Sequence, residues 1–335
     1  MRVLIVTQVV DTEHPILGFF HRWLEEFAKH CEQVTVICLQ EGAHALPDNV
    51  KVYSLGKEVG KSRLTYLIRF YKLIISLRHE HDSVFVHMNQ IYVLLGAPLW
   101  RLWRKRVGLW YMHGTVTWSL RLAEKLVDVI FTGSPESFRL PSKKVVVTGH
   151  GIDTGRFAPQ TGPKDLDLIT VGRITESKNL IALIDILREV RQEHEVTLSI
   201  VGGALTEGER AYEAKLRSHI EQYDLEHAVQ FLGRIPQAGL PETLARAKVF
   251  VTAAQNGSLD KAVLEAMACG LPVVSMAPGT ESLPLGLAQV KDVSGMVQMI
   301  KKVISEKTPF HQNDYVNFVS SKHSLSTLIP KILHE

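Results

Sequence analysis

Short runs of apolar residues alternate along the chain with longer stretches whose apolar positions recur every three to four residues. The longer stretches predict helices, most clearly over residues 19–30, 180–192 and 211–222. Short apolar runs between helices indicate buried strands of a parallel sheet with helices on both faces. The predicted strands are residues 3–10, 34–39, 83–88, 107–112, 129–132, 145–148, 166–171, 197–201, 228–231, 249–252 and 272–275.

The alternation lapses once, between residues 154 and 166, where Pro, Gly, Thr and Lys replace the apolar runs. Such a polar stretch is typical of a linker, and 335 residues are too many for one small core. We therefore predict an α/β protein with two domains, residues 1–155 and 156–320, and a C-terminal helix over residues 321–335 that packs back on the first domain. Two such domains would face each other across a cleft, with ligands beyond the carboxyl ends of the strands.

Composition and charge exclude several classes of protein. Apolar residues make up 45% of the chain and charged residues 22%, as in a soluble globular protein. A net charge of +3 gives no reason to expect a nucleic-acid partner. The three cysteines, Cys31, Cys38 and Cys269, are far apart and predict neither a disulfide framework nor a cysteine-rich zinc site.

The apolar run that opens the chain is short and contains Thr7 and Gln8, and no small-residue cleavage site follows it. We interpret it as a first strand and not as a signal peptide. No other apolar run is long enough to span a bilayer. Together with the cysteine usage, this favours a cytoplasmic protein.

The first candidate site follows the predicted strand 166–171. Gly172 turns the chain there, and Arg173 and Lys178 come before a predicted helix that begins at Leu180. Two cations beside a helix N-terminus form an anion site that suits a pyrophosphate. The alternative is a pair of solvated charges on a loop.

The second candidate site is a helix predicted between Asp260, a residue that can cap it, and Gly270, a residue that can end it. Glu265 is the one polar residue between positions 262 and 269. A helix that is apolar all round is buried, and a lone buried carboxylate costs on the order of several kcal/mol unless it is hydrogen-bonded. The vicinal hydroxyls of a ribose would satisfy it. For Asp260, a simple cap and a ligand contact both stay open.

Weaker signals lie in the first domain. His113, followed by Gly114, closes one strand, and His87 and Asn89 close another. Gly18 stands near a predicted helix start, where it allows close approach of a ligand to the backbone. The sequence contains no Gly-x-Gly-x-x-Gly fingerprint, no Walker phosphate loop, no His-Glu-x-x-His and no Gly-x-Ser-x-Gly elbow.

Taken in order, these segments resemble glycosyltransferase family 4, whose members have the GT-B fold of two Rossmann-like domains. The resemblance covers essentially the whole chain, and its most specific part is Leu-Glu-Ala-Met-Ala-Cys-Gly-Leu-Pro-Val-Val at residues 264–274. The other similar segments are the Gly18 loop, the His-Gly pair at His113, Gly-His-Gly-Ile-Asp at 149–153, Val-Gly-Arg at 171–173 with Lys178, and Phe-Leu-Gly-Arg at 231–234.

The resemblance implies a retaining, metal-independent glycosyltransferase that moves a sugar from a nucleotide diphosphate sugar, its donor substrate, to a glycan or a lipid-linked acceptor. No further cofactor is implied. Arg173 and Lys178 would hold the diphosphate, Glu265 the ribose, and His113 the donor sugar. Catalytic roles would fall to His113, Arg173 and Lys178. The implied donor-binding residues are Gly18, Gly172, Arg173, Lys178, Ser258, Leu259, Asp260, Glu265, Gly279 and Thr280.

The sequence departs from the family pattern at one position that matters. The family usually has a second glutamate eight positions before the one that matches Glu265, and this chain has Gly257 there. Asp260, in the same loop, is the alternative partner for a donor-sugar hydroxyl. The departure also leaves open a different class of function, a GT-B-like nucleotide-sugar-binding or scaffold protein with impaired catalysis.

Basic residues concentrate in the first part of the chain, with 19 Lys and Arg against 13 Asp and Glu in residues 1–150. In two places, residues 57–78 and 100–106, the cations interleave with aliphatic and aromatic residues. This pattern suits an anionic membrane surface, where each basic residue contributes about 1 kcal/mol. The alternative is that the apolar side chains are core and the cations are a solvated face. A peripheral location at the inner face of the membrane is therefore a hypothesis.

Overall fold

The computed structural model describes residues 1–255, 257–306 and 310–335, without the side chain of Leu287. These residues form two compact units. Unit 1 comprises Met1–Asp153 and Lys322–Glu335, and unit 2 comprises Thr154–Ser321. Each unit contains one sheet in which all neighbouring strands are parallel. The predicted class, α/β with two Rossmann-like domains, is confirmed.

Unit 1 contains a seven-stranded sheet in the order β3-β2-β1-β4-β5-β6-β7. Its strands are β1 (Arg2–Val10), β2 (Gln33–Glu41), β3 (Val50–Ser54), β4 (Ser83–His87), β5 (Arg106–Trp110), β6 (Val129–Thr132) and β7 (Val145–Val147). The strand order reverses between β1 and β4, the point at which open α/β sheets bind ligands. β3 was not predicted, because it is an edge strand whose side chains are half-buried or exposed.

Helices cover both faces of this sheet because successive side chains of each strand point to opposite sides. They are α1 (Phe20–His30), α2 (Arg63–Ser76), α3 (Gln90–Leu102) and α4 (Trp118–Leu126). Val3 and Ile5 of β1 pack into one core with α1, which contributes Trp23. Leu4 and Val6, the alternate positions of β1, face the opposite core, which α2, α3 and α4 fill.

Unit 2 repeats the plan with five strands in the order β10-β9-β8-β11-β12. The strands are β8 (Leu166–Val171), β9 (Leu198–Val201), β10 (Val229–Gly233), β11 (Ala247–Thr252) and β12 (Val273–Ser275). The helices are α5 (Leu180–Val190), α6 (Glu207–Gln222), α7 (Leu240–Ala245), α8 (Lys261–Ala268), α9 (Val293–Ile304) and α10 (Gln312–Lys322). Its largest core lies between the sheet and α5, α6 and α9.

The chain leaves unit 1 after Asp153 and returns to it at Lys322. The last helix, α11 (Leu325–His334), packs against α1 and adds Leu328 and Ile329, among others, to the core around Trp23. The Ile152 N–H donates to the His323 carbonyl at 2.7 Å, so the outgoing and the returning chain run side by side. Residues 322–335 therefore belong to unit 1.

Candidate functional site

In unit 2, the loops after β8 and β9 come together through two glycines. Gly172 has φ of +149° and Gly202 has φ of +140°, values that L side chains rarely adopt. A Cβ on Gly202 would lie only 1.8 Å from the Gly172 carbonyl oxygen. The Gly172 N–H donates to the Val201 carbonyl at 2.9 Å. These contacts fix the start of the loop that carries Arg173 and Lys178.

Lys178 ends a short 3-10 turn, and the left-handed Asn179, with φ of +51°, leads from it into α5. Its side chain passes over Gly172, where a Cβ would lie 2.6 Å from the Lys178 Cε. The Nζ donates to Oδ2 of Asp260, and the two side chains are only 16% and 20% exposed. Lys178 is therefore a half-buried, paired cation and not a solvated charge.

Asp260 connects this loop to α8. Its Oδ1 accepts from the Ala262 N–H at 3.3 Å and caps the helix, while Oδ2 accepts from Lys178. Of the two functions that the sequence left open, the cap is present, and the ligand contact stays a prediction; the second oxygen of the carboxylate is bound to Lys178. Asp260 and Lys178 are 82 positions apart, so local patterns give no signal of this pair.

Arg173 is half-exposed, and its Nη1 donates to Oε1 of Glu209 at 2.7 Å. Oε2 of Glu209 accepts from the N–H groups of Leu205 and Thr206, which completes a capping box at the start of α6. Burial opposes ionisation of Glu209, but these hydrogen bonds and the charge of Arg173 hold its pKa below the usual value. The Thr-x-x-Glu pattern at residues 206–209 would have predicted the cap, although not the contact with Arg173.

Glu265 is buried on α8, as the sequence predicted, with 4% of its surface exposed. Gln237 donates to its Oε1 at 2.7 Å, and the Lys261 Nζ lies 3.3 Å from the same oxygen. Both contacts reach Oε1, and no hydrogen bond from another described residue reaches Oε2. Burial raises the pKa of Glu265 despite these two partners. Sequence reasoning missed Gln237 and Lys261.

Gly270 ends α8 in the left-handed conformation, with φ of +72°. The Leu271 N–H donates to the Ala266 carbonyl, and the Gly270 N–H donates to the Met267 carbonyl. This is the Schellman arrangement that the glycine predicted. Because both ends of α8 are fixed, the position of Glu265 along the helix is fixed as well.

The loop after β12 lies against the loop that precedes α8. A Cβ on Gly279 would lie 2.2 Å from the Ser258 carbonyl oxygen and 2.9 Å from the Leu259 nitrogen. Thr280 faces inwards, with its hydroxyl hydrogen-bonded to Ala277 and Gln289, and also to Ser275. Its N–H donates to the Ala277 carbonyl. The structure therefore gives Thr280 a role in shaping the loop, and its contact with the donor stays a prediction.

Gly257, where the family pattern has its second glutamate, is left-handed with φ of +64°. That conformation favours glycine. A glutamate at this position would strain the backbone unless the loop took another path. The departure from the family pattern is therefore built into the shape of the loop.

In unit 1, His113 lies exposed beyond the carboxyl end of β5, and its Nδ1 accepts from the Thr115 N–H at 3.1 Å. Gly18 is close to its own loop, because a Cβ there would lie 2.7 Å from the Thr12 carbonyl oxygen and 2.9 Å from that of His14. The glycine therefore allows the tight turn before α1, and its contact with a ligand stays a prediction.

The weaker candidates of unit 1 are structural. His87 stacks on Phe20 with ring centroids 3.9 Å apart, and its Nδ1 lies 3.1 Å from the Thr7 hydroxyl. Burial lowers its pKa to about 3, so the ring is neutral. Asn89 caps α3 through the Ile91 N–H. His150, which replaces the asparagine usual in the family, lies buried against His323 with their Nδ1 atoms 3.3 Å apart.

Metal-binding side chains and reactive thiols were sought in the described part of the chain. Residues 1–255, 257–306 and 310–335 contain no group of three or more His, Cys, Asp or Glu side chains that could hold a metal ion. Burial raises the pKa of Cys31 to about 11 and those of Cys38 and Cys269 to about 12. These thiols are therefore protonated at neutral pH and act as core residues.

Comparison with protein families gives one match, over residues 152–282, to the family described as Glycosyl transferases group 1. This span includes Arg173, Lys178, Asp260 and Glu265. It covers less than half of the chain, and all of it except its first two residues lies in unit 2. The match supports the resemblance to group 1 glycosyltransferases that the motifs indicated.

Curated relatives match mainly over part of the chain. The Putative colanic acid biosynthesis glycosyltransferase WcaL of Escherichia coli (strain K12) is 30% identical over 158 residues, which are 44% of this chain and 38% of that protein. The Amylovoran biosynthesis glycosyltransferase AmsK of Erwinia amylovora is 32% identical over 147 residues, 40% of this chain and 34% of that protein. The matches thus span little more than a third of these relatives.

Solved structures resemble the chain over its whole length. Anabaena Alr3699/HepE, in its complex with UDP-glucose, has a TM-score of 0.77 at 21% identity and covers 100% of this chain and 98% of that chain. Sucrose-phosphate synthase (tll1590) from Thermosynechococcus elongatus has a TM-score of 0.76 at 14% identity, with 100% and 98% covered. These likenesses establish the GT-B fold.

Proposed function

We propose that this chain is a retaining, metal-independent glycosyltransferase that moves a sugar from a nucleotide diphosphate sugar to a glycan or a lipid-linked acceptor. The observation that carries the proposal is the buried carboxylate of Glu265, one oxygen of which is held by Gln237 and Lys261. The group 1 match and the relatives named for colanic acid and amylovoran biosynthesis support the reaction class. The UDP-glucose complex of HepE supports the class of donor.

The leaving group of this reaction is a nucleoside diphosphate, which gains negative charge as the anomeric bond breaks. Arg173 and Lys178 are the cations that would stabilise it, and each charge-assisted contact contributes about 1.5–3 kcal/mol. In the structure each already holds a carboxylate, Glu209 and Asp260 respectively. A diphosphate carries more charge than a single carboxylate, so it competes for both cations on binding.

Retention of configuration requires either a protein nucleophile or attack by the acceptor on the same face of the sugar from which the leaving group departs. Each carboxylate at the candidate site already has another role, since Asp260 caps α8, Glu209 caps α6 and Glu265 is assigned to the ribose. This favours front-face attack through an oxocarbenium-like state. The acceptor oxygen forms the new bond to the anomeric carbon, and its proton passes to the departing phosphate oxygen.

The proposal is tested with purified protein and UDP-, GDP- and ADP-sugars. A donor that binds the folded state raises the melting temperature, and the donor so identified is then assayed for hydrolysis and transfer. Lys178→Ala should lower kcat/KM by about 10–150-fold, the equivalent of 1.5–3 kcal/mol. Lys215→Ala, which removes an exposed lysine of α6, is the matched control. Binding without hydrolysis or transfer would support the alternative of a nucleotide-sugar-binding protein.

We further propose that unit 1 meets an anionic membrane surface through α2. Leu64, Ile68 and Ile75 are 65%, 48% and 47% exposed on this helix, and exposed cations flank them, Lys61, Arg63 and Lys72. Of the apolar residues that suggested this surface, Phe70, Ile74 and Trp100 are instead buried core. No helix of the described residues is long and apolar enough to cross a membrane.

Vesicle co-sedimentation tests this docking. Anionic vesicles at low salt should bind the protein better than neutral ones, and Leu64→Ser with Ile68→Ser should weaken the binding. Leu122→Ser, on α4 and 44% exposed, is the control. Equal binding to neutral and anionic vesicles would contradict the proposal.

A further inference from the structure

Four cations of unit 1 converge at the amino end of β5. Arg101, Arg104, Lys105 and Arg106 line a depression of about 390 Å³, together with Asp128. Asp128 accepts from the Val107 N–H at 2.7 Å. Among residues 1–255, 257–306 and 310–335, no carboxylate forms an ion pair with any of the three arginines. The depression thus holds four positive charges against one negative charge.

Two of these cations are held in place by backbone carbonyls. The Arg101 Nη1 donates to the carbonyls of Lys125 and Leu126 at the end of α4, at 3.3 and 3.4 Å. The Lys105 Nζ donates to the His81 carbonyl. A carbonyl orients a cation without neutralising its charge. These side chains therefore lose little further freedom when an anion binds.

Arg104 occupies a position that ordinarily belongs to glycine. It follows α3 in the left-handed conformation, with φ of +56°. The Lys105 N–H donates to the Trp100 carbonyl at 2.8 Å and the Arg104 N–H to the Arg101 carbonyl at 2.9 Å, a Schellman ending. An arginine here strains the backbone where glycine would not, and it adds a cation at the rim of the depression.

The four cations lie at the end of β5 opposite to His113, the residue of unit 1 that is assigned to the donor sugar. Arg106 begins β5, whereas His113 lies beyond its carboxyl end. Five strand residues span about 17 Å, so the cluster and His113 lie at opposite edges of the sheet. The inference that follows therefore does not rest on the proposed transferase activity.

We propose that Arg101, Arg104, Lys105 and Arg106 form a binding site for a compact phosphate anion, either a phosphate monoester or a diphosphate group. Guanidinium forks match phosphate oxygens in pairs, and three of them around one small depression suit a localised multiple charge. An extended polyanion would need a longer basic stripe. The phosphate can belong to a lipid headgroup or to a soluble molecule.

The test compares wild type with the double variant Arg104→Gly, Arg106→Gln. Glycine fits the left-handed backbone at position 104, so the melting temperature should not fall on that account. Lys51→Gln, which removes an exposed charge on the edge strand β3, is the control. Calorimetric titration with pyrophosphate should show one more site in wild type and Lys51→Gln than in the double variant, whatever unit 2 binds. Arg104→Gly alone should weaken that site at least tenfold.

Sedimentation with vesicles that contain phosphatidic acid distinguishes the sources. Vesicle binding that the double variant loses, without a pyrophosphate site, assigns the phosphate to a lipid. A pyrophosphate site without such vesicle binding assigns it to a soluble ligand, and both together support the shared chemistry. The proposal is overturned if wild type shows neither, or if the double variant binds as wild type does.

Discussion

Asp260→Asn separates the two tasks of one carboxylate. Asparagine caps a helix about as well as aspartate, so the start of α8 should remain intact. The amide has no charge with which to hold Lys178, whose Nζ contacts Oδ2 in the native protein. We expect the substitution to increase the affinity for the nucleoside diphosphate, because the ligand no longer competes with a carboxylate for this lysine.

The size of the gain follows from the contact that is removed. Lys178 and Asp260 are 16% and 20% exposed, and a charge-assisted hydrogen bond contributes about 1.5–3 kcal/mol. If the diphosphate displaces Asp260 completely, that free energy converts to at most a 10–150-fold gain in affinity, at about 1.4 kcal/mol per tenfold. If Lys178 bridges carboxylate and phosphate, the gain is smaller but has the same sign.

Isothermal titration calorimetry measures the affinity for the nucleoside diphosphate on four proteins: wild type, Asp260→Asn, Lys178→Ala and the double variant. Since the effect passes through Lys178, the double variant should bind no better than Lys178→Ala, a strong departure from additivity. Unchanged or weaker binding by a fully folded Asp260→Asn would refute the competition. A gain for the free diphosphate that is absent for the nucleotide sugar would show that Asp260 also contacts the sugar.

Three further outcomes are expected. Gly202→Ala should lower the free energy of unfolding, measured in urea, by about 3 kcal/mol, since its Cβ would lie 1.8 Å from the Gly172 oxygen. Gly208→Ala, in open space on α6, should raise it by up to about 1 kcal/mol, and similar values for both variants would contradict the clash. EDTA should leave transfer unchanged, and loss of activity that manganese or magnesium restores would disprove metal independence. Burial lowers the pKa of His87 to about 3 and that of His323 to about 4, so below pH 6.5 the unfolded chain binds more protons than the folded protein. The free energy of unfolding should therefore fall by about 1.4 kcal/mol per pH unit for each histidine as the pH drops from 6.5 towards 4. A flat profile over that range would show that these rings are not buried and neutral.

Local sequence patterns predicted most of the sheet. The strands at 129–132 and 166–171 have the predicted bounds, because apolar runs between helices leave few alternatives in an α/β fold. β3 escaped prediction because its burial is incomplete. The ends of α8 were predicted as well, since capping by Asp260 and termination at Gly270 depend on residues within five positions.

The partners of the candidate site residues could not be predicted in the same way. Lys178 meets Asp260, Arg173 meets Glu209, and Glu265 meets Gln237, at separations of 82, 36 and 28 residues. Such contacts depend on which strands become neighbours, and no periodicity records them.

Gly18 and the helix α2 show two further limits of sequence reasoning. For Gly18 the sequence suggested room for a ligand but gave no sign that backbone carbonyls of its own loop lie against it. Among the apolar residues of α2, only the packed structure separates the buried Phe70 and Ile74 from the exposed Leu64.

The return of the chain to unit 1 has a consequence for synthesis on the ribosome. Unit 2 is continuous from Thr154 to Ser321, whereas unit 1 needs Lys322–Glu335 for completion. Until α11 emerges from the exit tunnel, the face of α1 around Trp23 lacks Leu328 and Ile329, which cover it in the finished protein. The unit that is translated first is therefore completed only after unit 2, and during the synthesis of unit 2 this apolar face of α1 has no covering helix.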